Sequence, residues 1–270
     1  MVNVWSYEGR RCVVSGGGGA GMGAAAVREL VDLGAEVHVL DLKEPPVPVA
    51  SYQSPDLRDP DATAAAMANI DGDLHALFNC AGLPGHPFPD LDTMLVNFAA
   101  ARHLSELCAP RMPAGSAIVS IASTAGAAYL QNIAKWMPLV ETAGFDGAKA
   151  WCEANPQAIN SGYAPSKEAL ITWTLHAAHD FAQRGVRLNC ISPGPTDSPM
   201  MSAFEDFAGA QLIDLFARGL GRRSTPEEQA YACIFLNSPA ASYVNGENLV
   251  TDGGTMGGLT TGRITLDLET

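Results

Sequence analysis

The sequence predicts an α/β fold, a doubly wound parallel sheet of about seven strands with helices on both faces. Three observations carry this reading. Short β-branched or apolar runs alternate with alanine-rich helical stretches, the pattern of a parallel sheet covered on both sides. A glycine-rich turn follows the first such run and opens a helix. No Pro/Ser-rich linker, charge block or internal repeat divides the 270 residues, so they are read as one domain.

In chain order the strands are expected at Cys12–Ser15, Glu36–Leu40, weakly around Tyr52, then at His75–Asn79, Ala117–Ile121, Val186–Ile191 and Asn248–Val250. The helices between them are expected at Met22–Leu33, Asp61–Ile70, Leu91–Cys108, Pro165–Gln183, Ala203–Ala217 and Pro226–Leu236. The last begins Thr225-Pro226-Glu227-Glu228, where the threonine caps and the proline suits the first turn. In such a sheet, ligands bind beyond the carboxyl ends of the strands, so functional residues are expected just after strands.

Composition excludes several classes. The 29 acidic residues outnumber 16 basic ones, and the net charge of −13 opposes binding to phosphate backbones or anionic lipid. No apolar run approaches the roughly 18 residues of a membrane span, and the amino terminus lacks a secretory pattern. Six scattered cysteines without a C-x-x-C pair read as reduced, buried thiols, which with these absences gives an expected cytoplasmic location.

The residues after the strands carry chemistry. Ser15-Gly16-Gly17-Gly18-Gly19-Ala20-Gly21-Met22-Gly23 lets a pyrophosphate approach backbone N–H groups and a helix N-terminus, because the Cβ atoms are missing. Asp41 ends the second strand, where a carboxylate can accept hydrogen bonds from an adenosine ribose. Tyr163 and Lys167, four residues apart, share one helix face, and the ammonium is expected to lower the phenol from its ordinary value near 10. His176 and His179 have a chelating spacing but no third ligand, so no metal is assigned.

The glycine loop, Asn79-Cys80-Ala81-Gly82, Ile121-Ala122-Ser123, Tyr163 with Lys167, and Pro193-Gly194 follow one another in an order that resembles the classical short-chain dehydrogenase/reductase family, from about Gly9 to Gly254. Gly-Tyr-Ala-Pro-Ser-Lys at 162–167, Gly221-Arg222-Arg223 and Ser238-Pro239-Ala240-Ala241-Ser242-Tyr243-Val244 resemble its bacterial 3-alpha-hydroxysteroid dehydrogenase/carbonyl reductase branch. The resemblance implies a single-domain Rossmann-type fold with Tyr163 as acid/base and Lys167 lowering its pKa and binding the nicotinamide ribose. It implies that Ser123 holds the reacting oxygen and that Asn97 positions a water. It further implies cofactor contacts from Gly17, Gly21, Met22 and Gly23, from Asp41, Asp56 and Leu57, from Asn79, Ala81 and Gly82, and from Pro193, Gly194, Thr196 and Ser198. The sequence departs from the family in its loop spacing, where Gly21 and Gly23 make Gly17 the first glycine unless the loop holds an extra residue. Cys80, Ala122 and Ser198 are further departures.

The function so implied is NAD(H)-dependent interconversion of a secondary alcohol and a ketone on a small apolar substrate of steroid, terpenoid or alicyclic type. A 3-oxoacyl thioester reductase and a non-catalytic NAD-binding regulator are the alternatives. NAD is expected over NADP because Asp41 repels a 2′-phosphate, with Lys43 as the nearby cation. An apolar lid is expected at about 199–221, hinged near Gly194 and Gly221. Tyr163 lies 40 residues after Ser123, which marks an insert at about Tyr129–Asn160. Its aromatics, among them Trp136 and Trp151, are expected to wall the substrate pocket. A homo-oligomer, dimer or tetramer, is expected, with the insert altering the usual helix-paired assembly. The carboxyl-terminal tail, 255–270, is expected to help tie subunits through its period-two segment Arg263-Ile264-Thr265-Leu266-Asp267-Leu268.

Overall fold

The computed structural model describes residues 3–265. Seven strands form one all-parallel sheet in the order β3-β2-β1-β4-β5-β6-β7. They are β1 (Arg11–Ser15), β2 (Glu36–Leu40), β3 (Ser51–Gln53), β4 (Ala76–Asn79), β5 (Ala117–Ile121), β6 (Arg187–Pro193) and β7 (Asn248–Thr251). Strand order reverses between β1 and β4, which opens a crevice at their carboxyl ends. The weak run around Tyr52 is indeed a strand, three residues long at the sheet edge.

Alternation along the strands sorts the core into two layers. Cys12, Val14, Val37, Val39, Phe78 and Ile191 face α1 (Met22–Asp32) and, further along the chain, a helix over Pro226–Asn237. Val13, Leu40, Leu77, Ile118 and Leu188 face the opposite layer, which begins with α2 (Pro60–Ala68). There α3 (Asp90–Met94) runs through a π-helical turn, Leu95–Ala100, into α4 (Ala101–Cys108). The expected Leu91–Cys108 helix is therefore present but widened around Asn97.

The insert forms α5 (Tyr129–Val140) and α6 (Gly144–Ala154), and α7 (Tyr163–Ala182) follows. Beyond β6 the single helix expected over Ala203–Ala217 is two, α8 (Pro199–Ala208) and α9 (Ala210–Leu215). Gly209, at φ +82, breaks it, since that backbone conformation leaves the helical region. α10 (Pro226–Asn237) starts on a capping box in which Thr225 Oγ1 accepts the Glu228 N–H and the Glu228 carboxylate accepts the Thr225 N–H. α11 (Thr255–Thr260) closes the described chain.

The tail departs from an extended pairing strand. Arg263 and Ile264 both donate their N–H groups to the Gly258 carbonyl, at 2.8 and 3.0 Å, folding back on α11. Residues 266–268 of that segment lie outside the described residues. Among the described residues no helix is long and apolar enough to cross a membrane.

Candidate active site

The chain leaves β1 at Ser15 and turns at Gly16, φ +71, where any Cβ would collide with the backbone of Ala81. A Cβ on Gly23 would meet the Gly16 carbonyl and stand 2.8 Å from Cys80 Cβ. These two glycines let the first helix start flush against the turn. A Cβ on Gly17 would instead meet Val27, Val39 and Val14 side chains. The tight turn thus falls on Gly16, which corrects the register that made Gly17 the first glycine, and the loop holds one extra residue. Gly21 faces open space and precedes α1 with no side-chain cap, so the first N–H groups of α1 are left for a ligand.

Asp41 stands at the end of β2 and reaches this loop: Oδ2 accepts the Gly18 N–H and Oδ1 the Lys43 N–H, both at 2.8 Å. The Lys43 stem passes over Gly19, 3.4 Å from where a Cβ would be. Leu57 is buried, while the Asp56 carboxylate is clasped by Arg58 at 2.7 Å, which holds it below the usual carboxylate range. Ala81 and Gly82 follow β4 as expected. The Asn79 side chain points elsewhere: its amide donates to the Ala101 carbonyl and to Ser105 and Ser120 hydroxyls within the core. Its side chain therefore braces β4 against α4 and β5, which leaves the backbone of Asn79 for the cofactor contact that the sequence implies.

Ser123, Tyr163 and Lys167 converge beyond β5 and β6. Ser123 caps the short turn after β5, its Oγ accepting the Ala125 N–H at 3.1 Å. Tyr163 opens α7, and the ammonium of Lys167 lies 5.5 Å from the centre of its ring. Lys167 Nζ donates to the Ile121 carbonyl at 2.7 Å, and burial pushes its pKa down to about 8. The phenol of Tyr163 is raised above its ordinary value by burial, with the Ser123 hydroxyl pulling the other way. The expectation that the lysine depresses this phenol is therefore not met: desolvation of the phenolate outweighs any attraction, and the ammonium is turned to a backbone carbonyl.

Asn97 occupies the π turn and clamps Leu83 from both sides, Oδ1 accepting its N–H at 2.7 Å and Nδ2 donating to its carbonyl at 3.0 Å. The same amide donates to Ser166 Oγ at 3.0 Å, joining the loop after β4 to the first turn of α7. Such widened turns are frequent at functional sites.

A cleft of about 260 Å³ opens over these groups. Ser123, Tyr163, Pro193, Gly194, Thr196 and Ser198 line one side, with Met22 from the head of α1. Met200, Met201, Phe204, Ile213 and Phe216 of α8, α9 and the turn after them line the other. Phe204 meets the Tyr163 ring edge-on at 4.8 Å. A half-buried phenol beside a hydroxyl, with an ammonium behind it, can hand a proton to or take one from an oxygen in this cleft.

The insert does not contribute. Trp136 is wholly buried and donates Nε1–H to Glu168 Oε2 at 2.7 Å, and Trp151 packs beside it, 6.3 Å between rings. None of the cleft lining comes from residues 129–160, so the expected aromatic wall is overturned. These rings and the buried side chains around them pack onto α7 and α4.

Sequence reasoning missed Glu168, whose carboxylate holds Trp136 and Asn132 to α7, and no signal short of the helix packing reveals it. It also missed Arg223 as a contact hub. That one had a signal, the carboxylates Glu205 and Asp214 set within an apolar helical series.

Comparison with known proteins agrees with this geometry. Residues 11–136 match the family described as short chain dehydrogenase, and residues 150–256 match that described as Enoyl-(Acyl carrier protein) reductase. A coniferyl-alcohol dehydrogenase of Pseudomonas sp. (strain HR199 / DSM 7063) is 30% identical over 90% of this chain and 95% of its own. A 3-alpha-hydroxysteroid dehydrogenase/carbonyl reductase of Comamonas testosteroni is 34% identical over the same shares. The crystal structure of the 3-alpha-hydroxysteroid dehydrogenase from Pseudomonas sp. B-0831 complexed with NADH superposes at a TM-score of 0.78, with 28% identity, over 94% of this chain and all of that one. Other solved structures of like fold carry NADP or NADPH. With the all-parallel sheet, the glycine turn and these matches across nearly its whole length, the chain belongs to the short-chain dehydrogenase family of oxidoreductases.

Proposed function

We propose that this oxidoreductase uses NAD(H) to interconvert a secondary alcohol and a ketone on an apolar substrate of steroid, terpenoid or alicyclic type. The cleft carries the reading: Ser123 and Tyr163 are its polar floor, and Met200, Met201, Phe204, Ile213 and Phe216 make its opposite wall. The relative named a 3-alpha-hydroxysteroid dehydrogenase/carbonyl reductase supports the substrate class.

The residues fit a dinucleotide, since Gly21 is open and α1 begins without a side-chain cap. The backbone at Gly17 and Gly21–Gly23 would hold the pyrophosphate, with Asp41, Asp56, Leu57, Ala81 and Gly82 towards the adenosine. Lys167 and the loop through Pro193, Gly194, Thr196 and Ser198 would hold the nicotinamide end. When bound, the nicotinamide supplies the hydride chemistry. Ser123 orients the substrate oxygen. In reduction the Tyr163 phenol gives its proton to that oxygen, and in oxidation the phenolate takes the hydroxyl proton. Lys167 supplies a positive charge near Tyr163 as the proton moves. Asn97 fixes the loop and helix that frame them. Burial favours the protonated phenol, the form that donates in ketone reduction.

Asp41 supports NAD over NADP, because a carboxylate accepts from a 2′-hydroxyl and repels a 2′-phosphate. The thioester alternative is disfavoured at the rim: Arg222 is paired with Glu228 at 2.6 Å, and Arg223 is taken up by carboxylates, so neither offers a free charge to an anionic substrate. We extend the proposal to assembly. α5 and α6 lie on α7 and α4, the surface that many relatives are expected to pair, so subunits associate elsewhere. A solution tetramer paired through α4 and α7 would refute this.

Tyr163→Phe, assayed with NAD and a panel of steroid, terpenoid and alicyclic alcohols, is expected to lose roughly 10²- to 10⁴-fold in turnover. Undiminished turnover refutes the mechanism. Equal or better kcat/KM with NADP refutes the cofactor assignment.

A further inference from the structure

Charge gathers at one point beside the cleft. Arg223, which follows α9 and is only 17% exposed, lies 2.6 Å from Glu205 on α8 through Nη1. The same nitrogen stands 3.7 Å from Asp197, in the loop after β6, and Nε donates to Asp214 on α9 at 2.7 Å. One guanidinium thus joins three pieces of chain. The loop after β6 is already paired with Ser224, Asp197 N–H donating to its carbonyl at 2.9 Å, but α8 and α9 have little else to hold them, since α8 buries only Met201 and α9 buries none of its residues. Glu205 adjoins Phe204, the ring that rests edge-on against Tyr163.

We propose that Arg223 is a positioning residue that latches α8 and α9 over the reaction site, so that it governs how tightly dinucleotide and substrate are enclosed without touching either. The inference rests on the reading of the cleft as the reaction site. A guanidinium suits the task because its planar fork presents five donors at fixed angles, and an ammonium cannot serve three carboxylates with the same geometry. Three carboxylates around one cation leave two negative charges in excess. Removing Arg223 therefore takes away the attraction and leaves Asp197, Glu205 and Asp214 repelling one another, which opens the segment. With two of the three carboxylates more than half exposed, the latch is also screened by salt.

The test compares wild type with Arg223→Met, Arg223→Lys and the double variant Glu205→Gln/Asp214→Asn. Proteolytic cleavage within 199–221 is followed in the protein without nucleotide, NADH release by stopped-flow fluorescence, and KM against kcat. Arg223→Met is expected to be cleaved there, and to release NADH, roughly three- to tenfold faster, the loss of two or three partly exposed ion pairs. KM rises by a similar factor while kcat holds, thermal unfolding stays near that of wild type, and Arg223→Lys recovers part of the loss. About 0.5 M salt moves wild type towards Arg223→Met and, by screening the repulsion among the three carboxylates, slows cleavage and release in that variant, so that the two converge. Wild-type cleavage and release in Arg223→Met and in the double variant would overturn the latch. So would a loss of thermal stability with cleavage raised throughout the chain. Failure of wild type to bind NADH would refute the site reading, while cleavage of the nucleotide-free protein still decides the latch.

Discussion

The insert and the α8–α9 segment are both aromatic-rich excursions from the sheet, yet the chain holds them by opposite means. The insert is welded on. Trp136, Leu139, Val140, Phe145, Ala148 and Cys152 are buried, Glu168 accepts from Trp136 and Asn132, and the buried Arg102 donates to Thr142 Oγ1 and to the Val140 and Gly144 carbonyls. The α8–α9 segment is tied by charge around Arg223 and leaves Phe207 73% exposed. Composition alone does not say which excursion faces a substrate; the attachment does. An element with its aromatic faces spent on the core has none to offer a ligand, and an element with half-buried faces beside a phenol does.

The largest way to break this comparison is Trp136→Ala. The loss of a wholly buried indole and its hydrogen bond to Glu168 is expected to cost about 3–5 kcal/mol of stability, read by denaturant unfolding. Below the melting range, KM for substrate should stay within about twofold, because no insert side chain lines the cleft. A large rise in KM with little loss of stability would put the insert back at the pocket.

The sheet and the nearness of Tyr163 to Lys167 were legible because they rest on local rules: two-faced burial writes strands as apolar runs, and Tyr163 and Lys167 need only a helix to share a face. The parts read wrongly depend on contacts between distant segments. Gly17 took the role of Gly16 because spacing counts residues and ignores which backbone passes close, here that of Ala81. Asn79 ends β4, next to where ligands bind, yet its side-chain amide finds Ser105 and Ser120. The insert was placed by its flanks at Ser123 and Tyr163, whereas burial against α7 decides its orientation. The phenol shift failed similarly, since proximity in sequence fixes a charge nearby but not the cost of desolvation.

Phe204→Ala sharpens the contrast from the other side. Its ring contacts Tyr163 but belongs to a helix that buries only Met201, so stability should change by less than about 1 kcal/mol. KM for a bulky apolar alcohol is expected to rise roughly tenfold, the transfer energy of an aromatic contact, while small hydrophilic alcohols are little affected. Steady-state kinetics beside a thermal melt read both. A melt lowered as far as that of Trp136→Ala would make the segment part of the core.

The smallest expected effect separates the two regions by a titration. Burial pushes Lys167 down to about 8, so its charge is full below that pH and lost as pH rises through it. Ketone reduction, which uses that charge near Tyr163, should fall along the same limb. A Cβ on Gly82 would stand 3.9 Å from Lys167 Nζ and 3.7 Å from Met200 Cε, so the Met200 thioether reaches the neighbourhood of the ammonium across Gly82, and its share in excluding water is open to test. Met200→Ala lets water closer, lessens the desolvation and moves the Lys167 pKa back towards its ordinary 10.5. The alkaline fall in kcat/KM for reduction, measured from roughly pH 6 to 10, is then expected about half a unit higher than in wild type. Trp136→Phe should leave that midpoint in place, since its indole meets α7 through Glu168 and not through the ammonium. An equal shift in both variants would mean that the insert and α8 dry the site together, and a downward shift in Met200→Ala would mean that the thioether is no part of the barrier to water.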